Sequence, residues 1–199
     1  MPNHTYLGKF YKNCETTCRE VLFINEESGN DEVDLLVIMM NPGSSHPKAV
    51  AHYHSITADL LNKLVPTHPD DTQDKIKAYM NKNGLKHACV LNLTDVCNQK
   101  SEQMRASDCQ FSQFLTIESA IAIIQKYAPK AKHVLIAWGC KEIFRPLIAN
   151  CKTVLINIED VKIFGYNQLS DRNDLYYYHP LKRGGDWFDG LSAVNWDRG

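Results

Sequence analysis

Three polar side chains stand where apolar runs stop or are interrupted: Asn41, Asn92 and His179. Asn41 is followed by Pro42 and Gly43. Pro42 has no backbone donor and Gly43 permits conformations closed to other residues, so the tripeptide reads as a rigid turn fixing the Asn41 amide at a strand tip. An amide held there orients a water or a substrate carbonyl; the plainer reading is a strand turning into a loop. Ser44 and Ser45 add hydroxyls and amides that suit a phosphate. Asn92 lies between Leu91 and Leu93, where an amide without partners costs ~1–3 kcal/mol. It is either a structural bridge or a reader of a base edge, since an amide offers a donor and an acceptor side by side.

His179 follows Tyr176, Tyr177 and Tyr178 and precedes Pro180, which holds it extended. At the end of a core strand it can donate to developing negative charge or act as acid or base; a packed histidine without chemistry is the alternative. Lys182 and Arg183 supply local positive charge, either for a phosphate or as a solvated loop. Asp95 reads as a solvated loop carboxylate more readily than as a general base. His46, His52, His54 and His68 fall in loop or helix-start positions and match no zinc spacing.

The whole chain is nearly neutral, with 22 Lys and Arg against 23 Asp and Glu in 199 residues. That balance argues against a protein that binds by blanketing a phosphate backbone. The longest apolar run, around residues 35–40, is far shorter than the roughly 20 residues needed to cross a bilayer, and residues 1–9 hold no apolar stretch of signal-peptide type. The expectation is a soluble, cytoplasmic protein. Its seven cysteines read as reduced thiols, with Cys89 and Cys140 as small buried hydrophobes. No repeat or domain boundary stands out, so residues 1–199 read as a single α/β domain with a core at about 34–185.

The elements that position these side chains follow from periodicity. Residues 34–40, 87–93 and 133–138 are short continuous apolar runs, the pattern of strands buried on both faces. Ile56, Leu60, Leu61, Leu64 and Val65 recur at helical spacing, as do Ile76 and Met80 before Gly84, and Phe114, Ile117, Ile121 and Ile124 before Pro129. A helix over 141–150 interrupted by Pro146, strands over 153–158 and 175–178, and an edge strand over 20–24 complete the reading. Strands alternating with helices predict a three-layer α/β/α sandwich with a mostly parallel sheet. Residues 41–46, 92–95, 138–139 and 179–185 would then share one crevice at the carboxyl ends of the strands.

With those strand ends in view, the chain resembles the uracil-DNA glycosylase superfamily over about residues 34–185. Residues 36–43 are similar to the first motif of the mismatch-specific branch, 90–94 to the base-reading strand, 134–139 to the next core strand, and His179, Pro180 and Leu181 to the second catalytic motif. More narrowly the chain resembles the family labelled domain of unknown function 1643, which shares the Asn-Pro, Asn-Leu, Ala-Trp-Gly and His-Pro-Leu landmarks and has no assigned activity. The superfamily resemblance implies a uracil-DNA glycosylase-like fold and a hydrolase acting on a base in DNA or a related nucleoside. In it Asn41 holds the attacking water, Asn92 reads the extruded base and His179 stabilises the leaving base, while the turn residues Pro42, Gly43 and Ser44 bind the substrate. Leu181 serves as an apolar wedge, and Lys182 with Arg183 grips phosphate. The first motif here lacks the Asp base and the aromatic neighbour, and no Ser follows His179-Pro180. A non-catalytic nucleotide or nucleic-acid binding module is the rival reading. The iron–sulfur branch implies a [4Fe–4S] cluster on Cys14, Cys18, Cys97 and Cys109; the residues themselves read as ordinary thiols with no cofactor.

Overall fold

The computed structural model describes residues 4–26, 32–168, 175–181 and 186–196. The chain opens with a long hairpin, β1 (His4–Asn13) and β2 (Thr16–Glu26), whose turn carries Cys14 at φ 50°. Burial alternates along β1, with Tyr6, Gly8 and Phe10 inward, the two-residue period of a strand with one wet face. Sequence reasoning missed β1 and put residues 20–24 at an edge. In the structure β2 is interior, pairing with β1 on one side and with β6 (His87–Asn92) on the other.

Nine strands form one sheet in the order β4-β5-β1-β2-β6-β3-β7-β8-β9. β3 is Leu35–Met39, β4 His46–Pro47, β5 Leu64–His68, β7 His133–Ala137, β8 Lys162–Gly165 and β9 Ser192–Ala193. The expectation of a mostly parallel sheet is corrected: β6, β3, β7 and β8 run parallel to one another, while every other pairing is antiparallel. A parallel pair needs a long crossover, and the chain provides helices for that purpose only between β5 and β8. These are α1 (Asp71–Asn83), α2 (Ile117–Tyr127) and α3 (Arg145–Ile156).

Helices cover both faces of the sheet. Ile76, Tyr79 and Met80 of α1 pack on Leu35, Val37, Val90 and Leu135. On the opposite face Ile123 and Ile124 of α2 and Leu147 and Val154 of α3 pack on Leu36, Ile38, Leu91 and Val134. The alternation along β3 therefore divides one apolar run between two cores, which is why it shows no polar face. Asp70 caps α1 and left-handed Gly84, at φ 67°, ends it where the sequence predicts; Thr116 caps α2.

Four assignments change. The helix expected from Ile56 to Val65 is instead two 3-10 turns, Tyr53–Ser55 and Ala58–Leu60, followed by β5. Asn62 at φ 59° and Pro66 are incompatible with a continuous helix there. Residues 153–158 are not a strand, because α3 runs on to Ile156 with Leu147, Ile148, Cys151, Val154 and Leu155 buried at helical spacing. Pro146 lies in the first turn of α3, where a missing N–H is harmless, so it starts this helix rather than interrupting one. Of residues 175–178, only Tyr177 makes isolated bridges, to Gly139 and Asn167. Among the described residues no helix is long and apolar enough to cross a membrane.

Candidate functional site

Because β3, β6 and β7 are parallel, the loops that leave their carboxyl ends emerge at one end of the sheet. The loop after β3 is the Asn41-Pro42-Gly43 turn. Gly43 has φ +67°, and a β-carbon on it would lie 2.8 Å from Oδ2 of Asp70. The turn is thus seated directly against the N-cap of α1. Asp70 Oδ1 accepts from the N–H groups of Thr72 (3.0 Å) and Gln73 (3.2 Å), while the Gln73 side chain accepts the Asp70 N–H, a reciprocal capping box. Asn41 Nδ2 donates to the Asn98 carbonyl at 2.6 Å, which orients the amide and leaves Oδ1 with no protein donor among the described residues.

The His179 backbone arrives from a different direction. Gly139 N–H donates to Tyr177 O at 2.8 Å, Trp138 Nε1 to Leu175 O at 2.7 Å and Trp187 Nε1 to Tyr178 O at 3.0 Å. The first two bonds tie the segment to the end of β7 and the third ties it to Trp187. His179 Nδ1 accepts the Leu181 N–H at 3.3 Å, so the ring proton resides on Nε2. Burial pushes the His179 pKa down to about 4, which makes it a neutral N–H donor at physiological pH.

Both segments wall one cavity of about 870 Å³, within the roughly 300–1,000 Å³ usual for small-molecule sites. Asn41, Pro42, Gly43, Ser44, His179 and Leu181 all line it. Asn92 does not. It is buried on β6, paired in register with Met39 of β3, which does line the cavity, and both its amide atoms lack hydrogen-bond partners. Lys182 and Arg183 lie outside the described residues.

The sequence reading missed Arg19 and Asp70, which also line the cavity. Arg19 is 1% exposed on the interior strand β2. A lone cation in the stretch Cys18–Ile24, otherwise largely apolar, was the available signal. Asp70 was detectable as a capping box, an acidic residue three before Gln73, but nothing local shows that its second oxygen faces a ligand space. Burial raises the Asp70 pKa, against the pull of the Arg19 charge. His46 and His52 complete the polar rim, their rings 6.4 Å apart.

The family model described as Protein of unknown function (DUF1643) matches residues 62–181, more than half of the chain. The chain belongs to the DUF1643 family. The match includes Asp70, Asn92, Gly139 and the His179-Pro180-Leu181 segment, and begins after Arg19 and the Asn41 turn. No curated protein and no solved structure matches the chain.

Elsewhere in this DUF1643 member, Asp95 departs from the solvated carboxylate expected of it. It is fully buried, its Oδ2 accepting from Tyr11 Oη and Gln113 Nε2 at 2.9 Å each, and burial pushes its pKa up to about 7. The four cysteines singled out for a cluster occupy different surroundings. Cys14 is exposed in the β1–β2 turn, Cys18 is buried against the α2/α3 core, Cys97 is buried with Phe10 and Tyr53, and Cys109 donates to the Ile143 carbonyl at 3.4 Å. Among the described residues no three His, Cys, Asp or Glu side chains gather as a metal site. Burial raises the Cys18 pKa to about 12, so that thiol stays protonated. Cys89 is buried as expected, whereas Cys140 is half-buried and lines the cavity.

Proposed function

We propose that this DUF1643 member is a glycosylase-like hydrolase that cleaves the bond between a nucleobase and its sugar, in DNA or in a related nucleoside or nucleotide. The observation that carries the reading is that Asn41 and His179, far apart along the chain, wall the same cavity. Asn41 Oδ1, fixed by the bond to Asn98 and without another partner among the described residues, accepts from a water and aims its oxygen at the sugar carbon. His179, neutral with its proton on Nε2, donates to the base as negative charge develops there. A neutral donor stabilises an anionic leaving group without having to transfer its proton.

The water must lose a proton as its oxygen bonds to carbon and the base departs with the bonding electrons. Asp70 is the acceptor in this scheme. It lies against the Asn41 turn, has Oδ2 outside the cap bonds, and has its affinity for a proton raised by burial. Leu181, 47% exposed and lining the cavity, serves in this scheme as an apolar wedge that fills the gap left by an extruded base. Asn92, beside Met39 on the neighbouring strand, offers an unsatisfied donor and acceptor, the pair of groups that base recognition uses.

The test is release of free base, resolved by chromatography, from oligonucleotides carrying uracil or other altered bases and from nucleosides and their 5′-monophosphates. The parent is expected to release base from one class, and Asn41→Ala and His179→Ala to lower the rate by on the order of a hundredfold or more. No release from any substrate by the parent sinks the hydrolase reading.

A further inference from the structure

The cavity holds one more chemical demand that the proposed reaction does not use. Arg19 sits on β2 with a relative exposure of 1%, its side chain in the cavity wall. Nε and Nη1 are both shut off from solvent and have no hydrogen-bond partner. Ion pairs between described residues occur at Lys9, Lys77, Lys126, Lys130 and Arg145, and none involves Arg19. The Asp70 carboxylate lines the same cavity and feels the Arg19 charge, but no contact within ion-pair distance joins them, and Oδ1 is spent on the α1 cap.

A guanidinium stays charged under all ordinary conditions, and burying it without a counter-group is strongly unfavourable. A fold that keeps such a group in a cavity wall, donors unsatisfied, is complementary to an anion that enters the cavity. The planar fork of the guanidinium matches the paired oxygens of a phosphate. One neighbouring feature suits the same group: the hydroxyl and backbone of Ser44, which also lies in the wall.

We infer that Arg19 forms the floor of a phosphate subsite, so that the ligand of this cavity is a nucleotide held by its phosphate group. The inference deepens the proposed function, since it rests on a nucleotide-type ligand, and it commits the substrate to a phosphate-bearing class that the chain's near-neutral charge can accommodate one group at a time.

Isothermal titration of the parent chain with nucleosides, with the matching 5′-monophosphates and with inorganic phosphate alone provides the test. Monophosphates are expected to bind at least about tenfold more tightly than nucleosides, a gain of about 1.4 kcal/mol, and inorganic phosphate to compete with them. Arg19→Met should abolish the phosphate-dependent gain, and Arg19→Lys, which keeps the charge but loses the fork, should retain only part of it. Equal affinity for nucleoside and monophosphate in the parent overturns the subsite, even where base release is observed. Phosphate-dependent binding without any base release keeps the subsite and removes the hydrolase reading. If Arg19→Met fails to fold, the parent's nucleoside-to-monophosphate ratio and the folded Arg19→Lys chain still decide whether the subsite exists.

Discussion

Gly43 and Asp70 are in contact with no room for a side chain between them. A β-carbon on Gly43 would stand 2.8 Å from Asp70 Oδ2, and Gly43 holds φ +67°. Asp70 cannot swing aside freely, because its other oxygen is bound to two N–H groups of α1. The contact joins the loop that carries Asn41 to the helix that carries the carboxylate, so the position of one is set by the other.

Gly43→Ala should therefore destabilise the chain by about 1–3 kcal/mol, through left-handed backbone strain together with displacement of the cap. Urea denaturation measures it. A variant with the parent's midpoint and slope would show that the turn and the cap are mechanically independent.

Asp70→Asn separates the two roles of that residue. Asn is as good an N-cap as Asp, so stability should stay within about 1 kcal/mol of the parent, while base release should drop by on the order of a hundredfold for want of a proton acceptor. Asp70→Ala should lose the cap as well. Parent-like turnover in Asp70→Asn removes Asp70 from the reaction.

His179 has a folded pKa of about 4 against an ordinary value near 6.5. The folded state disfavours the charged ring, so its contribution to stability is present above about pH 6.5 and is lost as pH falls from there towards 4. The ring resonances of His179 should thus remain those of a neutral imidazole from pH 8 to pH 5. A midpoint near 6.5 by NMR would contradict both the burial and the neutral-donor role.

Asp95 works in the opposite sense. Its folded pKa is about 7 against about 3.8 in the open chain, so the folded state holds the proton more tightly. Stability from this group is greatest below pH 4 and declines as pH rises through 7. Asp95→Asn, which resembles the protonated acid, should gain stability relative to the parent by a few kcal/mol between pH 5 and pH 8. A difference between the two chains that does not change with pH rejects this assignment.

The thiols should report their burial through reactivity. Native-state labelling with a maleimide should modify Cys14 first and Cys109 and Cys140 more slowly, leaving Cys18, Cys89, Cys97 and Cys151 untouched until the chain unfolds. Rapid labelling of Cys18 or Cys97 in the folded chain would mean that the β2 region opens.

Elements whose pattern is carried by their own residues are legible in the sequence. The runs that become β3, β6 and β7 are apolar along their centres because both sheet faces are covered, and the Asp70 and Gly84 signals bracket α1. Residues 153–158 mislead because Thr153, Val154 and Ile156 are β-branched, and an isolated stretch of that kind favours a strand. In the chain they are the last turns of α3, since burying Val154 and Leu155 beside Leu147 and Cys151 requires the helical period. The hairpin of β1 and β2 is hidden because Lys9, Arg19 and Glu20 interrupt the apolar count.

Amino-acid type and spacing along the chain were thus enough to name Asn41 and His179 as groups of interest and to place Asn41 after a strand, whereas the strand expected before His179 is reduced to isolated bridges at Tyr177. Strand order also put them at one crevice, but that Asn92 does not line it, that His179 is neutral, and that Arg19 and Asp70 do line it follow only from assembly of the sheet. Proton affinity and hydrogen-bond supply depend on which distant groups exclude water from a side chain, and those neighbours are brought together by packing between segments far apart in the chain. Arg19 shows this most clearly: in the chain order it is one charge among many, and in the fold it is a buried cation with donors to spare.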